Sequence, residues 1–400
     1  MKFRTLLLGT AAAMAVSGAA QAADLAIAVE PIDYVKICDA FGVGYWYIPG
    51  TDTCLKIGGH VQLDVWFYDD DRIGNYWNIA NQLTGAVTPT ADPSNPLAQT
   101  SGVVAGYLYA QDNYSQSWEM KTEAGANWNS RSMSDLGVIA TNINFVVTSN
   151  NNELDGTAKT VRFDGGYGAI GPMMFGWTDS TFDPGGGYTY DGAIRSDRKV
   201  DQFRLSYLMG TWGIMLGLED PRDSYGGGAS NATGNYPDIV LAVTGGVGGL
   251  SLRGAVAVTD RTSGTGWGAN LAATAKLGVV DIKGTVAYSD NAKSYTGGSN
   301  CSSTLSVNAA GNAKWNGCDD GQWWSGYLSA AIKLSGSLKA AGTVSYQGGP
   351  SDGDDQWVGA AGLYYFPTAR SEIGAELLYT DPENADGSFG GHLRFKTNFN

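Results

Sequence analysis

Two histidines, His60 and His392, are the whole imidazole supply of this 400-residue chain. A histidine beside a serine or cysteine nucleophile and an orienting carboxylate would serve as a general base. A pair at helical spacing would bind zinc. The sequence around His60 and His392 offers neither a Ser-His-Asp order nor an H-x3-H spacing, so no catalytic residue, metal site or cofactor is expected. The acidic runs Asp69-Asp70-Asp71 and Asp352-Gly353-Asp354-Asp355 lack the twelfth-position Glu of a calcium loop. They read as solvated loop tips. Asp183-Pro184-Gly185-Gly186-Gly187 is glycine-rich but lacks the Gly-Lys-Ser/Thr of a phosphate loop. The four cysteines, Cys38, Cys54, Cys301 and Cys318, allow three disulfide pairings. What remains is electrostatics: arginines and lysines at alternating positions, and acids gathered between the segments that carry them.

The composition narrows the class. The chain has 57 Gly, 16% charged and 11% aromatic residues, which is glycine-rich and charge-poor, yet too aromatic for disorder. A net charge of −14 argues against a nucleic-acid partner. The first 22 residues read as a signal peptide: Lys2 and Arg4 precede an apolar run, Leu6 to Val16, and Ala20-Gln21-Ala22 supplies the cleavage site. The run is too short for a membrane helix, and no later segment reaches the roughly 20 apolar residues that one needs. Cleavage leaves 23 basic against 39 acidic residues. Export also places the cysteines where disulfides persist, and the sequence-near pairs Cys38–Cys54 and Cys301–Cys318 are favoured.

The elements that must position these residues have period two. Between Leu55 and Tyr68, one face carries Leu55, Ile57, Val61, Leu63, Val65 and Phe67, and the other Lys56, His60, Gln62, Asp64, Trp66 and Tyr68. Such alternation predicts a strand, and a long one. Sixteen segments follow this pattern, near 54–68, 117–128, 136–148, 158–168, 172–178, 200–209, 212–219, 238–246, 250–259, 267–277, 279–288, 323–334, 338–347, 357–366, 371–380 and 388–399. Short connections follow the even-numbered segments. Long ones, at 69–116, 179–199, 220–237 and 289–322, follow odd-numbered ones. Tight turns on one rim and long loops on the other predict a sixteen-stranded antiparallel up-and-down transmembrane β-barrel over 54–400, preceded by a periplasmic segment over 23–53.

The faces decide between membrane and water. Burying Arg162, Arg204, Arg253, Lys283 and their neighbours in a dry core would cost several kcal/mol per unpaired ion. A lipid-facing exterior and a wet interior satisfy both faces at once. A soluble propeller would show a four-strand repeat, which is absent. In the barrel, His60 and His392 fall on the inner face of the first and last strands. Closure makes those strands neighbours, and their distances from the strand ends predict similar heights at the seam.

From Tyr34 to Ile57 the chain reads YVKICDAFGVGYWYIPGTDTCLKI. The spacing of its two cysteines, the Tyr-x-x-x-Cys-Asp start and the Tyr-Ile-Pro-Gly resemble the N-terminal signature of the alphaproteobacterial general porins, the rhizobial and Brucella-type family. Ser130–Gly137, Asp179–Phe182 and Gly390–Phe399 resemble it further. The resemblance implies a homotrimer in the Gram-negative outer membrane, in contact with lipid and lipopolysaccharide. It implies passive diffusion of small hydrophilic solutes and ions, with the third long loop folded inward as a constriction. That loop contributes Asp179, Asp183, Asp191, Asp197, Arg195 and Arg198, which would face Arg162, Arg204, Arg253 and Lys283 on the wall. A substrate-selective channel lined by Trp66, Tyr68 and Tyr327 and an outer-membrane barrel enzyme are the alternatives. Such barrels usually end on an aromatic residue, whereas this chain ends Phe399-Asn400.

Overall fold

The computed structural model describes residues 36–68, 118–150, 159–220, 235–261, 264–297, 304–307, 313–316, 321–350, 355–383 and 386–399. They belong almost wholly to one compact unit, Cys38–Asn400; the other unit, Met1–Ile37, includes the expected signal peptide and lies nearly all outside the described residues. Cys301 and Cys318 also lie outside them.

Sixteen strands form the wall: β1 Cys54–Tyr68, β2 Trp118–Ser134, β3 Gly137–Asn150, β4 Lys159–Ile170, β5 Met173–Asp179, β6 Lys199–Met209, β7 Trp212–Glu219 and β8 Asp238–Val247, then β9 Leu250–Arg261, β10 Gly264–Leu277, β11 Val280–Asp290, β12 Gln322–Lys333, β13 Leu338–Gly348, β14 Gln356–Thr368, β15 Ser371–Pro382 and β16 Ser388–Phe399. Each pairs antiparallel with its sequence neighbour, and β16 closes on β1 from Gly390↔Tyr68 to Phe399↔Gly59. Closure leaves no open edge, which a sheet in hydrocarbon requires. All sixteen expected segments are present. The largest boundary difference is β2, which runs to Ser134 rather than 128. Its last six residues carry Ser130, Ser132 and Ser134 on the outer face, so no apolar alternation marks them. Pairing supplies the order instead: Asn142 donates to Asn129 Oδ1 at 2.5 Å, and Ser130 and Thr141 share a hydroxyl hydrogen bond of 2.7 Å.

Tight turns on one rim need positive φ. Gly248 (φ +59°) and Gly278 (φ +71°) open two-residue turns in a conformation that a side chain would strain. The alternation sorts as expected. Val161, Phe175, Leu216, Leu271, Val286 and Leu377 are exposed on the outer face, while Gln62, Gln202, Asn270, Thr285, Ser329 and Thr343 are buried on the inner one. Before β1, Trp46–Tyr47 pairs with Cys54 and Leu55, and Cys38 is disulfide-bonded to Cys54 across 16 residues. Closing a loop of that size stabilises by about 3 kcal/mol.

Candidate functional site

The segment between β5 and β6, residues 180–198, has no strand or helix of its own. Its backbone polar groups therefore need other partners, and the inner face of the wall provides them. At its start, Ser180 Oγ and Thr181 N donate to the fully buried Glu219 of β7 at 2.7 and 2.6 Å. Arg253 of β9 donates to the Thr181 carbonyl, and Asn270 of β10 to the Phe182 carbonyl at 2.7 Å. Farther on, Tyr327 OH reaches the Gly185 carbonyl at 2.6 Å and Lys283 Nζ the Gly186 carbonyl at 2.9 Å. Tyr188 N donates to Ser329 Oγ at 2.8 Å, and Thr189 pairs with Thr343 at 2.6 Å. The tip, Tyr190 and Asp191, donates both backbone N–H groups to Glu376 of β15 at 2.5 and 3.2 Å. The return leg is held by Ser345 through Gly192 and Ile194. The segment thus touches the inner face of the wall from β7 round to β16.

A second stretch, 291–297 after β11, supports the return leg, and the sequence reading did not single it out. Ser196 Oγ donates to the Ser294 carbonyl at 3.0 Å, and the Phe182 and Tyr295 rings meet at 4.7 Å. Arg198 lies 4.7 Å over the Tyr295 ring and 3.6 Å from Asp238, to which Tyr295 OH donates at 2.6 Å. Burial works against the Arg198 charge, but Tyr295, Glu219 and Asp238 outweigh it and hold the guanidinium above its ordinary pKa. Gly297 packs directly on the Arg195 backbone, leaving no room for a Cβ.

The expected charged residues fall into three groups. Asp183, Arg195 and Asp197 form a cluster within the segment, with Arg195 Nη1 at 2.7 and 3.0 Å from the two carboxylates. Burial pushes the Asp183 carboxyl above the usual range, against the pull of Arg195 and the Gly185 N–H. Arg253 and Lys283 grip backbone carbonyls of the segment, and both also lie within electrostatic reach of Asp183. Arg162 bonds Asp164 at 3.1 Å within the wall, with Lys199 on the other carboxylate oxygen at 3.0 Å. Arg204 lies on β6 beside Met174 and Gly217 in register, and Asp179 ends β5 opposite Lys199.

The histidines do not share a height. His60 is paired with Asn398 and His392 with Trp66, six positions apart along β1. Counting from strand ends missed the stagger with which β16 meets β1. His60 bonds Glu123 at 3.2 Å. His392 lies at the loop tip between two carboxylates: Asp191 at 2.8 Å from Nδ1 and Asp64 at 2.9 Å from Nε2. Trp66 stacks on its ring at 4.7 Å. Asp64, Glu372, Glu376 and Tyr364 at this tip were not singled out by the sequence reading. The available signal was their inward parity on β1, β14 and β15.

A closed barrel of sixteen antiparallel strands, apolar outside and polar within, defines a Gram-negative outer-membrane protein. The chain belongs to the porin subfamily, whose family model matches residues 24–398. It is 29% identical over 278 residues to porin Omp2b of Brucella suis biovar 1, covering 64% of this chain and 66% of that one. Over 73 residues it is 55% identical to y4fJ of Sinorhizobium fredii, itself only a candidate outer membrane protein, covering 18% and 21% of the two chains. The chain therefore spans less than two thirds of the length of either relative. Among solved structures it is similar to the outer membrane channel DcaP of Acinetobacter baumannii, with a TM-score of 0.62, 16% identity and coverage of 88% and 99%. That likeness is one of fold.

Proposed function

We propose that this protein is a general porin, a passive channel for small hydrophilic solutes and ions, and that it performs no reaction. The carrying observation is the run of side-chain hydrogen bonds that binds segment 180–198 to the polar inner face from β7 to β16. A segment so held narrows a water-filled barrel and acts as its constriction. Its charge is set by Asp183, Asp191, Asp197 and Arg195, beside Asp179 and Arg198 at its ends, with Arg162 and Arg204 on the wall. Arg253 and Lys283 serve as fasteners. The acidic balance of the chain favours cations, since charged rings in a pore set ion preference. The histidines are engaged by carboxylates, His60 by Glu123 and His392 by Asp64, and serve no nucleophile among the described residues. In planar bilayers the protein should give a large, weakly selective conductance, with a reversal potential of cation-selective sign across a salt gradient. Absence of current would overturn the reading.

A homotrimer is part of the proposal. The outer face of β2–β5 carries an apolar surface suited to a partner chain: Trp128, Phe145, Phe163 and Trp177 form a ladder of ring contacts at 5.6–5.8 Å. The Ser130–Thr141 hydroxyl pair lies on the same outer face. Hydroxyls are poor lipid neighbours and good protein ones. Crosslinking in native membranes should give three-chain products that Trp128→Ala weakens. The second reading, a substrate-selective channel, is favoured by the rings gathered at His392, where Trp66 stacks at 4.7 Å and Tyr190 lies at 5.2 Å with Tyr364 against it at 5.1 Å. Current blocked by one sugar and not by others would support it.

A further inference from the structure

The loop tip has a surplus of negative charge and a geometry that asks for a cation. Asp64, Asp191, Glu372 and Glu376 stand together with Arg394 and Lys339. Arg394 Nε donates to Asp64 at 2.6 Å, and Lys339 Nζ lies 4.1 Å over the Tyr364 ring that caps Glu376. Four carboxylates against two basic side chains leave two uncompensated negative charges when the imidazole is neutral. Asp64, Glu376 and His392 are all within 4% of complete burial, so solvent does little to screen them.

The ring orientation is set from one side. Asp64 already accepts from Arg394 and, at 2.5 Å, from Gln62, and its contact with Nε2 places an N–H on that nitrogen. A carboxylate on the far nitrogen is the usual support of a metal-binding histidine. Nδ1 then presents a lone pair to Asp191 Oδ2 at 2.8 Å, which is acceptor facing acceptor unless a cation lies between them. Glu376 completes the set: one ligand atom each from Asp191, Glu376 and His392 lie within 4.8 Å of one another. Adjacent ligands on one ion, each at about 2.1 Å, stand about 3.0 Å apart at octahedral and about 3.4 Å at tetrahedral angles, so the Nδ1 to Oδ2 spacing must widen by a few tenths of an ångström.

We propose that Asp191, Glu376 and His392 form a binding site for a transition-metal dication of the zinc type, oriented by Asp64. A dication balances the two surplus charges, where a proton on Nδ1 balances one. The imidazole selects against calcium and magnesium, which take oxygen ligands. Because Asp191 comes from the segment and the other two from β15 and β16, the bound ion ties the loop tip to the wall. The site stands independently of the transport reading, since its first test is binding and not current.

The experiment uses the mature full-length protein, free of any histidine tag, folded in detergent and titrated with zinc chloride. One zinc per chain is expected by calorimetry and by metal analysis after dialysis. His392→Ala and Asp191→Asn should each weaken binding by at least about 100-fold, and Asp64→Asn by about 10–100-fold. His60→Ala should leave binding unchanged, and a thousandfold excess of calcium or magnesium should not compete. Asp191→Asn changes a loop residue and not a wall strand, so it keeps the test valid if His392→Ala fails to fold. No stoichiometric zinc on the wild type, or zinc held equally well by Asp191→Asn, would overturn the site. Displacement by calcium would overturn its assignment to a transition metal.

Discussion

The two ends of segment 180–198 are fastened to the same barrel by different physics. At the base, hydrogen bonds join Ser180 and Thr181 to Glu219 and an ion pair joins Arg198 to Asp238, with Phe182 and Tyr295 closing over them. At the tip, Glu376 accepts from the Tyr190 and Asp191 N–H groups, but His392 is set between two carboxylates that a neutral ring cannot both satisfy. The base is held by an arginine, carboxylates and stacked rings, whereas the tip meets the wall through a histidine and is where we propose that a cation binds. On that proposal the segment has a permanent root and a conditional end.

The largest expected effect lies at the root. Glu219→Ala leaves Arg198 with Asp238 and the Tyr295 ring and frees Ser180 and Thr181, at a cost of about 3–5 kcal/mol. Limited proteolysis should cut within 180–198 while the sheet stays folded; an uncut segment would remove the distinction between root and tip. Gly297→Ala comes next. Its φ of +82° and its contact with the Arg195 backbone make any side chain strained, at about 1–3 kcal/mol, read as partial cleavage in the same assay. At the tip, Tyr190→Phe removes the hydroxyl that reaches Glu372, at about 1 kcal/mol. Hydrogen exchange should quicken at 188–192 and stay unchanged at 180–182, which sharpens the comparison.

The smallest effect is one of pH. The folded pKa of Asp183 lies above its unfolded value of 3.8, so folding favours the protonated acid. Its contribution to stability is present at low pH and is lost as pH rises through the folded value. In the channel, acidification should neutralise Asp183 before ordinary carboxylates and lower cation preference from above pH 3.8. Reversal potentials measured across that range should show a step that Asp183→Asn abolishes.

The wall was almost entirely legible in the sequence, because a strand declares itself through neighbours two residues away. Leu55 to Tyr68 alternates, and β1 spans Cys54–Tyr68. The exception, 129–134 in β2, has serines on its outer face in place of apolar residues, and partner strand β3 decided it. The Cys38–Cys54 pairing was legible for the same reason of proximity. The site was legible only in part. Asp183, Asp191 and Arg195 were placed in the right segment, but Arg253 and Lys283 proved to hold carbonyls, and Glu219 and Glu376 went unnoticed.

What the sequence by itself determined is everything of short range: strand periods, inner and outer faces, tight turns at glycine, and the order in which strands follow one another. The tertiary structure decided the stagger with which β16 closes on β1, and with it the separation of His60 from His392. It also decided which wall residues meet the loop tip. Asp191 and His392 are 201 positions apart, and Asp64 and His392 are 328 apart, yet each pair is in contact. No local pattern encodes such a meeting. It exists because sixteen strands must close a circle, and the circle brings the ends of the chain to the place where the segment between β5 and β6 comes to rest.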